Sequence, residues 1–163
     1  MPSIPWADPF NSTTYSGYLN VTATKKLHYT FATSLSNTSA TDPVVIWFNG
    51  GPGCSSMLGF MQENGPRVFE DYATNITNNP YPWNLRANVI WLESPAGVGF
   101  SVANTSQDMR TNDMLQSQDA IVALLAWYEK FPEYKNNSLF VSGESYAGIY
   151  VPYLAWQIYQ NNL

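Results

Sequence analysis

The sequence has few residues that could build a metal centre or a stripe of positive charge. It contains one cysteine, Cys54, and one histidine, His28, in 163 residues, whereas zinc sites typically use three or four such ligands. Seven Lys and Arg residues against twelve Asp and Glu give a net charge of −5. That balance argues against a surface that follows nucleic-acid phosphates. We therefore expect no metal, no cofactor and no nucleic-acid partner.

Long apolar segments are also missing. The longest unbroken apolar run, residues 120–128, has nine residues, and a helix that spans a bilayer needs about 20. The first fifteen residues show no basic segment followed by an apolar one, so they do not resemble a signal peptide. We expect no membrane span, and the sequence leaves the oligomeric state open.

The chain is instead rich in aromatic side chains and in Asn, Ser and Thr. Apolar residues make up 45%, as in ordinary globular proteins, so the chain is not disordered. The N-glycosylation pattern N-x-S/T occurs six times, where chance gives roughly 2.7. Most of these sites are expected to be acceptors in the secretory pathway, although a biased codon composition is an alternative explanation. The acceptor candidates are Asn11, Asn20, Asn37, Asn75, Asn104 and Asn136.

The hydrophobic pattern alternates strands with helices after an initial hairpin. Apolar runs without alternation indicate strands buried on both faces, and Ser55 is placed to cap a helix. A chain of this length fits one domain of about 100–200 residues. We expect an α/β fold with a parallel sheet covered on both faces. The predicted strands are 15–22, 27–33, 44–49, 88–92 and 138–142, and the predicted helices are 55–63, 112–131 and 145–160.

One motif follows the last predicted strand. The segment Gly143-Glu144-Ser145-Tyr146-Ala147 has the form G-x-S-x-A. Small residues two positions before and after the serine allow a sharp strand-to-helix turn, which exposes the serine hydroxyl at a helix N-terminus. The motif is weak by itself, but the flanking strand and helix are the context that a nucleophile elbow requires. The Tyr146 N–H is then one donor of an oxyanion hole.

A glycine-rich loop follows the first buried strand. The segment from Asn49 to Gly53 lies where the second oxyanion donor is expected, and glycines let N–H groups face outward there. The alternative is a dinucleotide fingerprint. Only two of its three glycines are present, and Pro52 lacks the amide that would bind phosphate.

Five segments in order resemble the serine carboxypeptidase family of the α/β-hydrolase fold. They extend from about Tyr15 to the end of the chain, so the resemblance covers most of it. It implies that residues 1–163 form one incomplete α/β-hydrolase domain, the N-terminal part of a longer catalytic domain. The segments are 47–56 (WFNGGPGCSS), 63–66 (ENGP), 79–84 (NPYPWN), 93–101 (ESPAGVGFS) and 142–148 (SGESYAG).

The resemblance also implies a role for each matching residue. Ser145 corresponds to the nucleophile, and Gly51 and Tyr146 to the oxyanion-hole amides. Cys54 corresponds to a cysteine that is bridged to a distant one, whereas the sequence alone also allows a free thiol or a small residue packed in a tight loop. The substrate's terminal carboxylate is bound at the positions of Trp47, Asn49, Gly50, Glu63 and Glu144.

Two glutamates beside a substrate carboxylate need protons. If both were ionised they would repel the ligand, but a protonated carboxyl donates a hydrogen bond, and close carboxyls that share a proton titrate with a raised pKa. We therefore expect peptides with a free C-terminus to be the substrates and to bind best at acidic pH.

The base and acid of a catalytic triad are not found after the nucleophile. In this fold they follow the serine in the order Asp or Glu, then His, but residues 146–163 contain none of these. His28 precedes the serine and is expected to be a hairpin residue that faces solvent or a satisfied neighbour. The isolated chain is thus predicted to be inactive. We also expect it to be marginally folded, because a parallel sheet that ends after its third inner strand leaves an edge and a face uncovered.

Three functions remain open at this stage. The first is a serine carboxypeptidase that acts through an acyl-enzyme in a lysosomal, vacuolar or extracellular compartment. The second is the related acyltransferase branch, in which Asp usually precedes the nucleophile, whereas Glu144 stands there in this chain. The third is a catalytically inert truncated product.

Overall fold

The computed structural model describes residues 12–69 and 76–161. They form a six-stranded mixed sheet, a separate pair of short strands and two long helices. The strands are β1 (Thr14–Asn20), β2 (Lys25–Ala32), β3 (Val44–Phe48), β4 (Arg67–Val68), β5 (Thr77–Asn78), β6 (Asn88–Leu92), β7 (Val102–Ala103) and β8 (Leu139–Gly143), and the helices are α1 (Asp113–Lys130) and α2 (Ala147–Gln160).

The main sheet has the order β1-β2-β6-β3-β8, and β7 also pairs with β2. Strands β1 and β2 form an antiparallel hairpin, and β2 pairs antiparallel with β6. Strands β6, β3 and β8 are parallel. The predicted hairpin followed by parallel strands is confirmed. Phe48 pairs with Gly143 at the ends of β3 and β8, so the loops that follow these two strands lie side by side.

Each face of the sheet has its own apolar core. Along β6, Ile90 and Leu92 belong to the larger core, while Val89 and Trp91 belong to the smaller one. Helices α1 and α2 pack on the larger core, and a helical segment over residues 57–63 covers the smaller one. All five residues of β6 are buried, as its unalternating apolar sequence predicts.

Helix α1 begins and ends where the sequence indicates. Asn112 is its N-cap, and the Asn112 side chain accepts a hydrogen bond from Leu115 N at 2.9 Å. The buried stripe follows Ala120, Leu124 and Trp127. Two apolar residues of the helix, Met114 and Leu125, are exposed to 43% and 39%. Leu125 lines an apolar groove between α1, β8 and α2.

Strand β8 is the outer parallel strand of the described sheet and is only half buried. Phe140 on this strand is 56% exposed. An apolar groove of about 830 Å³ runs between α1, β8 and α2. Among the described residues, no strand pairs with the outer side of β8, so both the edge and part of this face are uncovered, as expected.

The connection between β3 and β6 is more ordered than predicted. Ser55 Oγ accepts a hydrogen bond from Met57 N at 3.1 Å and so caps the predicted helix. The helix then continues as a π-helical turn over Gly59–Glu63. Residues 64–84, predicted as a loop, include β4 and β5. None of the helices in the described residues has the length and apolar character needed to cross a bilayer.

Candidate active site

Ser145 lies in the turn between β8 and α2. Its φ of 56° is the only positive φ of a non-glycine residue in the described ranges. A Cβ added at Gly143 would lie 2.6 Å from Ala147 Cβ and 2.6 Å from Phe48 O, so the turn needs small residues on both sides of the serine. The Ser145 residue is exposed. This is the geometry of a nucleophile elbow.

The loop after β3 lies against this elbow. A Cβ at Gly50 would be 2.5 Å from Tyr146 N and 2.7 Å from Glu144 O. Gly51 has a φ of 110°, which is a conformation that favours glycine. The Tyr146 amide and the loop that carries Gly51 are therefore adjacent, as two oxyanion donors must be.

The ring of Tyr146 is held by the start of α1. Its hydroxyl donates to Asp113 Oδ1 at 3.0 Å, and this hydrogen bond raises the pKa of the Tyr146 phenol. Asp113 was not among the predicted site residues. The sequence shows it only as an acidic residue in the first turn of a helix, which is common and carries no signal of a contact with Tyr146.

Asn49 is buried next to the elbow, and both Oδ1 and Nδ2 of its side-chain amide are hydrogen-bonded. The Oδ1 atom accepts from Trp47 Nε1 at 2.9 Å and from Gly59 N at 3.0 Å. This orients Nδ2, which donates to Glu63 Oε1 at 3.1 Å and to Glu144 Oε1 at 3.2 Å. A buried amide thus joins two carboxyl groups that are far apart in the sequence. Gly59 is a further residue that the sequence analysis missed.

The surroundings of Glu63 change its acidity. Partial burial is the main cause that raises the pKa of Glu63, and the nearby Glu144 carboxyl raises it further. The hydrogen bond from Asn49 opposes both effects but does not cancel them. Glu63 therefore takes up a proton at a higher pH than an ordinary glutamate does, and in that form it can donate a hydrogen bond to an anion.

His28 is engaged elsewhere. It is buried on β2, and its Nδ1 lies 3.0 Å from Glu93 Oε2. The expectation that it faces solvent is wrong, and the alternative of a satisfied neighbour is correct. Among the residues that the structure describes, no cluster of three or more His, Cys, Asp or Glu side chains is arranged to hold a metal ion.

The remaining predicted residues lie on the surface or close to it. Cys54 is a partly buried free thiol in the loop after β3. The described glycosylation candidates Asn20, Asn37, Asn104 and Asn136 are all exposed. Asn11 and Asn75 lie outside the described residues.

Comparison with known proteins decides the family. The sequence profile described as serine carboxypeptidase matches residues 2–163. The chain belongs to the serine carboxypeptidase family. Among curated members, it is 48% identical over 154 residues to serine carboxypeptidase-like 21 of Arabidopsis thaliana and 48% identical over 147 residues to the lysosomal protective protein of Mus musculus. These matches cover 91% and 90% of this chain and 31% of each relative. The chain therefore spans about a third of the length of these family members.

Solved structures agree with this assignment. The fold matches a prohormone-processing carboxypeptidase of Saccharomyces cerevisiae with a TM-score of 0.80 and 27% identity, over 95% of this chain and 36% of that one. An acylaminoacyl peptidase of Pyrococcus horikoshii matches with a TM-score of 0.55 and 12% identity, over 87% of this chain and 20% of that one. The second likeness concerns the fold alone. The expected α/β-hydrolase fold is confirmed.

Proposed function

We propose that this chain supplies the nucleophile, the oxyanion hole and the carboxylate-binding groups of a serine carboxypeptidase that hydrolyses peptides from a free C-terminus. The observation that carries the proposal is the Asn49 amide, which joins Glu63 and Glu144 directly beside the strained Ser145. Endopeptidases do not need a group that recognises a terminal carboxylate next to the scissile bond, but a carboxypeptidase does.

Ser145 attacks the carbonyl carbon of the last peptide bond in this proposal. The negative charge that develops on the carbonyl oxygen is stabilised by the N–H groups of Gly51 and Tyr146. The C–N bond then breaks, an acyl-enzyme remains on Ser145 Oγ, and water later hydrolyses the ester. The serine proton has to pass to a base and then to the leaving amine. Since residues 146–163 contain no Asp, Glu or His, we propose that the 163 residues alone do not turn over.

The carboxylate of the substrate binds at the two glutamates. Gly50 N–H donates to it, and Asn49 Nδ2 donates to it in place of one of its two glutamate contacts. A protonated Glu63 adds a third donor. Trp47 holds the Asn49 amide in the required orientation through its indole N–H. When the pH rises through the raised pKa of Glu63, that donor becomes a second negative charge and binding weakens.

The contact between Asn49 and Glu144 favours a peptidase over the acyltransferase alternative, because the complete carboxylate-binding set is present.

We further propose a secretory-pathway location, lysosomal, vacuolar or extracellular, with Cys54 in a disulfide. The exposure of all four described glycosylation candidates supports this location, and one relative is named a lysosomal protein. An inert product remains the alternative that the experiments below can detect.

Binding measurements on the purified chain test the carboxylate site. An N-blocked dipeptide with a free carboxylate and its C-terminal amide are titrated by calorimetry at about pH 4.5 and about pH 7.5. The acid should bind more tightly at the lower pH, and the amide should show no such preference. In Glu63→Gln the preference for low pH should shrink, whereas Glu129→Gln, an exposed glutamate on α1, should match the parent chain.

Equal affinity for the acid and the amide at both pH values would contradict the carboxylate site. Turnover is tested separately with the same dipeptide. Hydrolysis by the 163-residue chain that disappears in Ser145→Ala would contradict the proposal that it is inactive alone.

A further inference from the structure

A second group of serine, histidine and glutamate lies on the hairpin side of the sheet. The His28 ring has Glu93 Oε2 3.0 Å from Nδ1 and Ser16 Oγ 2.8 Å from Nε2. Ser16 lies on β1, His28 on β2, and Glu93 directly follows β6. These strands are neighbours, so the sheet itself aligns the three side chains.

The environment of Glu93 determines which way the hydrogen bonds run. Burial raises its pKa, but hydrogen bonds from His28, from Ser55 Oγ and from Phe100 N outweigh this, and the pKa of Glu93 is lowered. The side chain is therefore an ionised carboxylate, which only accepts hydrogen bonds. His28 must then donate from Nδ1. In the neutral imidazole, Nε2 therefore carries the lone pair that faces Ser16, and the Ser16 hydroxyl donates to it. A serine nucleophile and its base have this same arrangement.

The surroundings of Ser16 are open and aromatic. Ser16 is exposed, while His28 is 7% exposed. The rings of Tyr18 and Phe100, 45% and 61% exposed, lie 5.4 Å and 5.3 Å from the His28 ring. An aromatic group that approaches Ser16 from solvent thus meets two exposed rings next to the imidazole.

We propose that Ser16 is a second nucleophilic serine of this chain, with His28 as its base, and that it accepts acyl groups from activated aryl esters. The site is separate from Ser145. Four strand spacings of about 4.8 Å lie between β1 and β8, so the two serines are on the order of 19 Å apart. The inference does not depend on the carboxypeptidase proposal.

The step transfers one acyl group. Ser16 Oγ forms a bond to the carbonyl carbon of the ester as its proton moves to His28 Nε2. The bond from that carbon to the aryl oxygen then breaks, and the aryl oxide leaves with the electron pair. His28 releases its proton to water and returns to its starting form. The product is an ester of Ser16, and no oxidant, reductant or metal is needed.

Acetylation by 4-nitrophenyl acetate tests the proposal. The Ser145→Ala chain is used so that the other nucleophile does not react, and peptide mapping by mass spectrometry gives the rate at each serine. Ser106, an exposed serine on the loop after β7, provides the baseline in the same sample. Ser16 should be acetylated about 100-fold faster than Ser106, because a positioned base contributes roughly 10²–10⁴-fold.

Two variants separate reactivity from a structural role. Ser16→Ala should remove the label without affecting the fold, since the side chain is exposed. His28→Gln keeps a hydrogen-bonding side chain but removes the base, so Ser16 labelling should fall about 100-fold. If His28→Gln does not fold, the comparison of Ser16 with Ser106 in the parent chain still decides the matter. Equal rates at the two serines, or labelling of Ser16 that persists in a folded His28→Gln, would overturn the proposal.

Discussion

Replacing Glu93 by glutamine should destabilise the protein at neutral pH. The Glu93 carboxylate is completely buried, and Oε2 accepts hydrogen bonds from His28 Nδ1 at 3.0 Å and Phe100 N at 2.9 Å. Its other oxygen accepts from the Ser55 hydroxyl. A glutamine has one acceptor oxygen, which would take the place of Oε2. The Ser55 hydroxyl can rotate to accept from the new amide.

The expected loss comes from the missing charge on the acceptor. A hydrogen bond to a charged group contributes about 1.5–3 kcal/mol, and a neutral one about 0.5–1.5 kcal/mol. Two such bonds at Oε2 therefore give a loss of about 2 kcal/mol in the free energy of unfolding. At roughly 2–4 °C per kcal/mol for a chain of this size, Tm should fall by about 4–8 °C.

Thermal unfolding followed by circular dichroism across a pH series measures the effect. The pKa of Glu93 is lowered in the folded state, so its contribution is complete above the pKa of an unfolded glutamate, about 4.3, and is lost as the pH falls through the folded value. The difference in Tm between the parent and Glu93→Gln should therefore close in acid. Glu129→Gln should show no difference at any pH, because this glutamate is exposed.

Two results would refute this reasoning. Equal Tm values at about pH 7 would mean that the charge on Glu93 does not stabilise the fold. A difference that stays constant down to the lowest pH would mean that the loss comes from packing and not from the carboxylate.

Three further predictions concern the loops of the active site. Ser145→Gly should raise the free energy of unfolding by about 1 kcal/mol in denaturant titrations, since glycine tolerates the positive φ, whereas Ser106→Gly should not raise it. Gly50→Ala should lower it by about 1–3 kcal/mol, because the new Cβ would lie 2.5 Å from a main-chain nitrogen. Its control Gly148→Ala, with nothing within 4 Å of the new Cβ, should stabilise α2 by about 0.5–1 kcal/mol. Glu63→Gln should stabilise the folded chain more at neutral than at acidic pH, because the raised pKa of Glu63 means that its ionised form is the unfavourable one. If the free energy of unfolding of Glu63→Gln depends on pH as that of the parent chain does, this last prediction is wrong.

The elements that depend on local sequence were predicted well. The strand over residues 88–92 was predicted with its observed bounds, because an unbroken apolar run between turn-forming residues determines it locally. The end of α1 was within one residue, since Pro132 cannot continue a helix. The turn at Ser145 follows from the small residues at 143 and 147, which are visible in the sequence.

The contacts between distant segments were not predictable in the same way. Asn49 and Glu144 are 95 positions apart, and only the family resemblance put them in one site. His28 and Glu93 are 65 positions apart, and their contact depends on β2 pairing with β6, which no periodicity reveals. The exposure of Met114 and Leu125 likewise depends on how α1 rotates against the sheet.

The pairing of Phe48 with Gly143 has a consequence for how the chain can tolerate insertions. The loops that carry Gly51 and Ser145 leave β3 and β8 immediately after this pair, so their relative position is determined by strand register. One residue inserted within either strand would shift one loop by about 3.3 Å and turn inward side chains outward. Insertions between β4 and β5 would leave that register unchanged. Insertions and deletions among homologous chains should therefore occur in the segment between β4 and β5, while β3 and β8 keep a constant length.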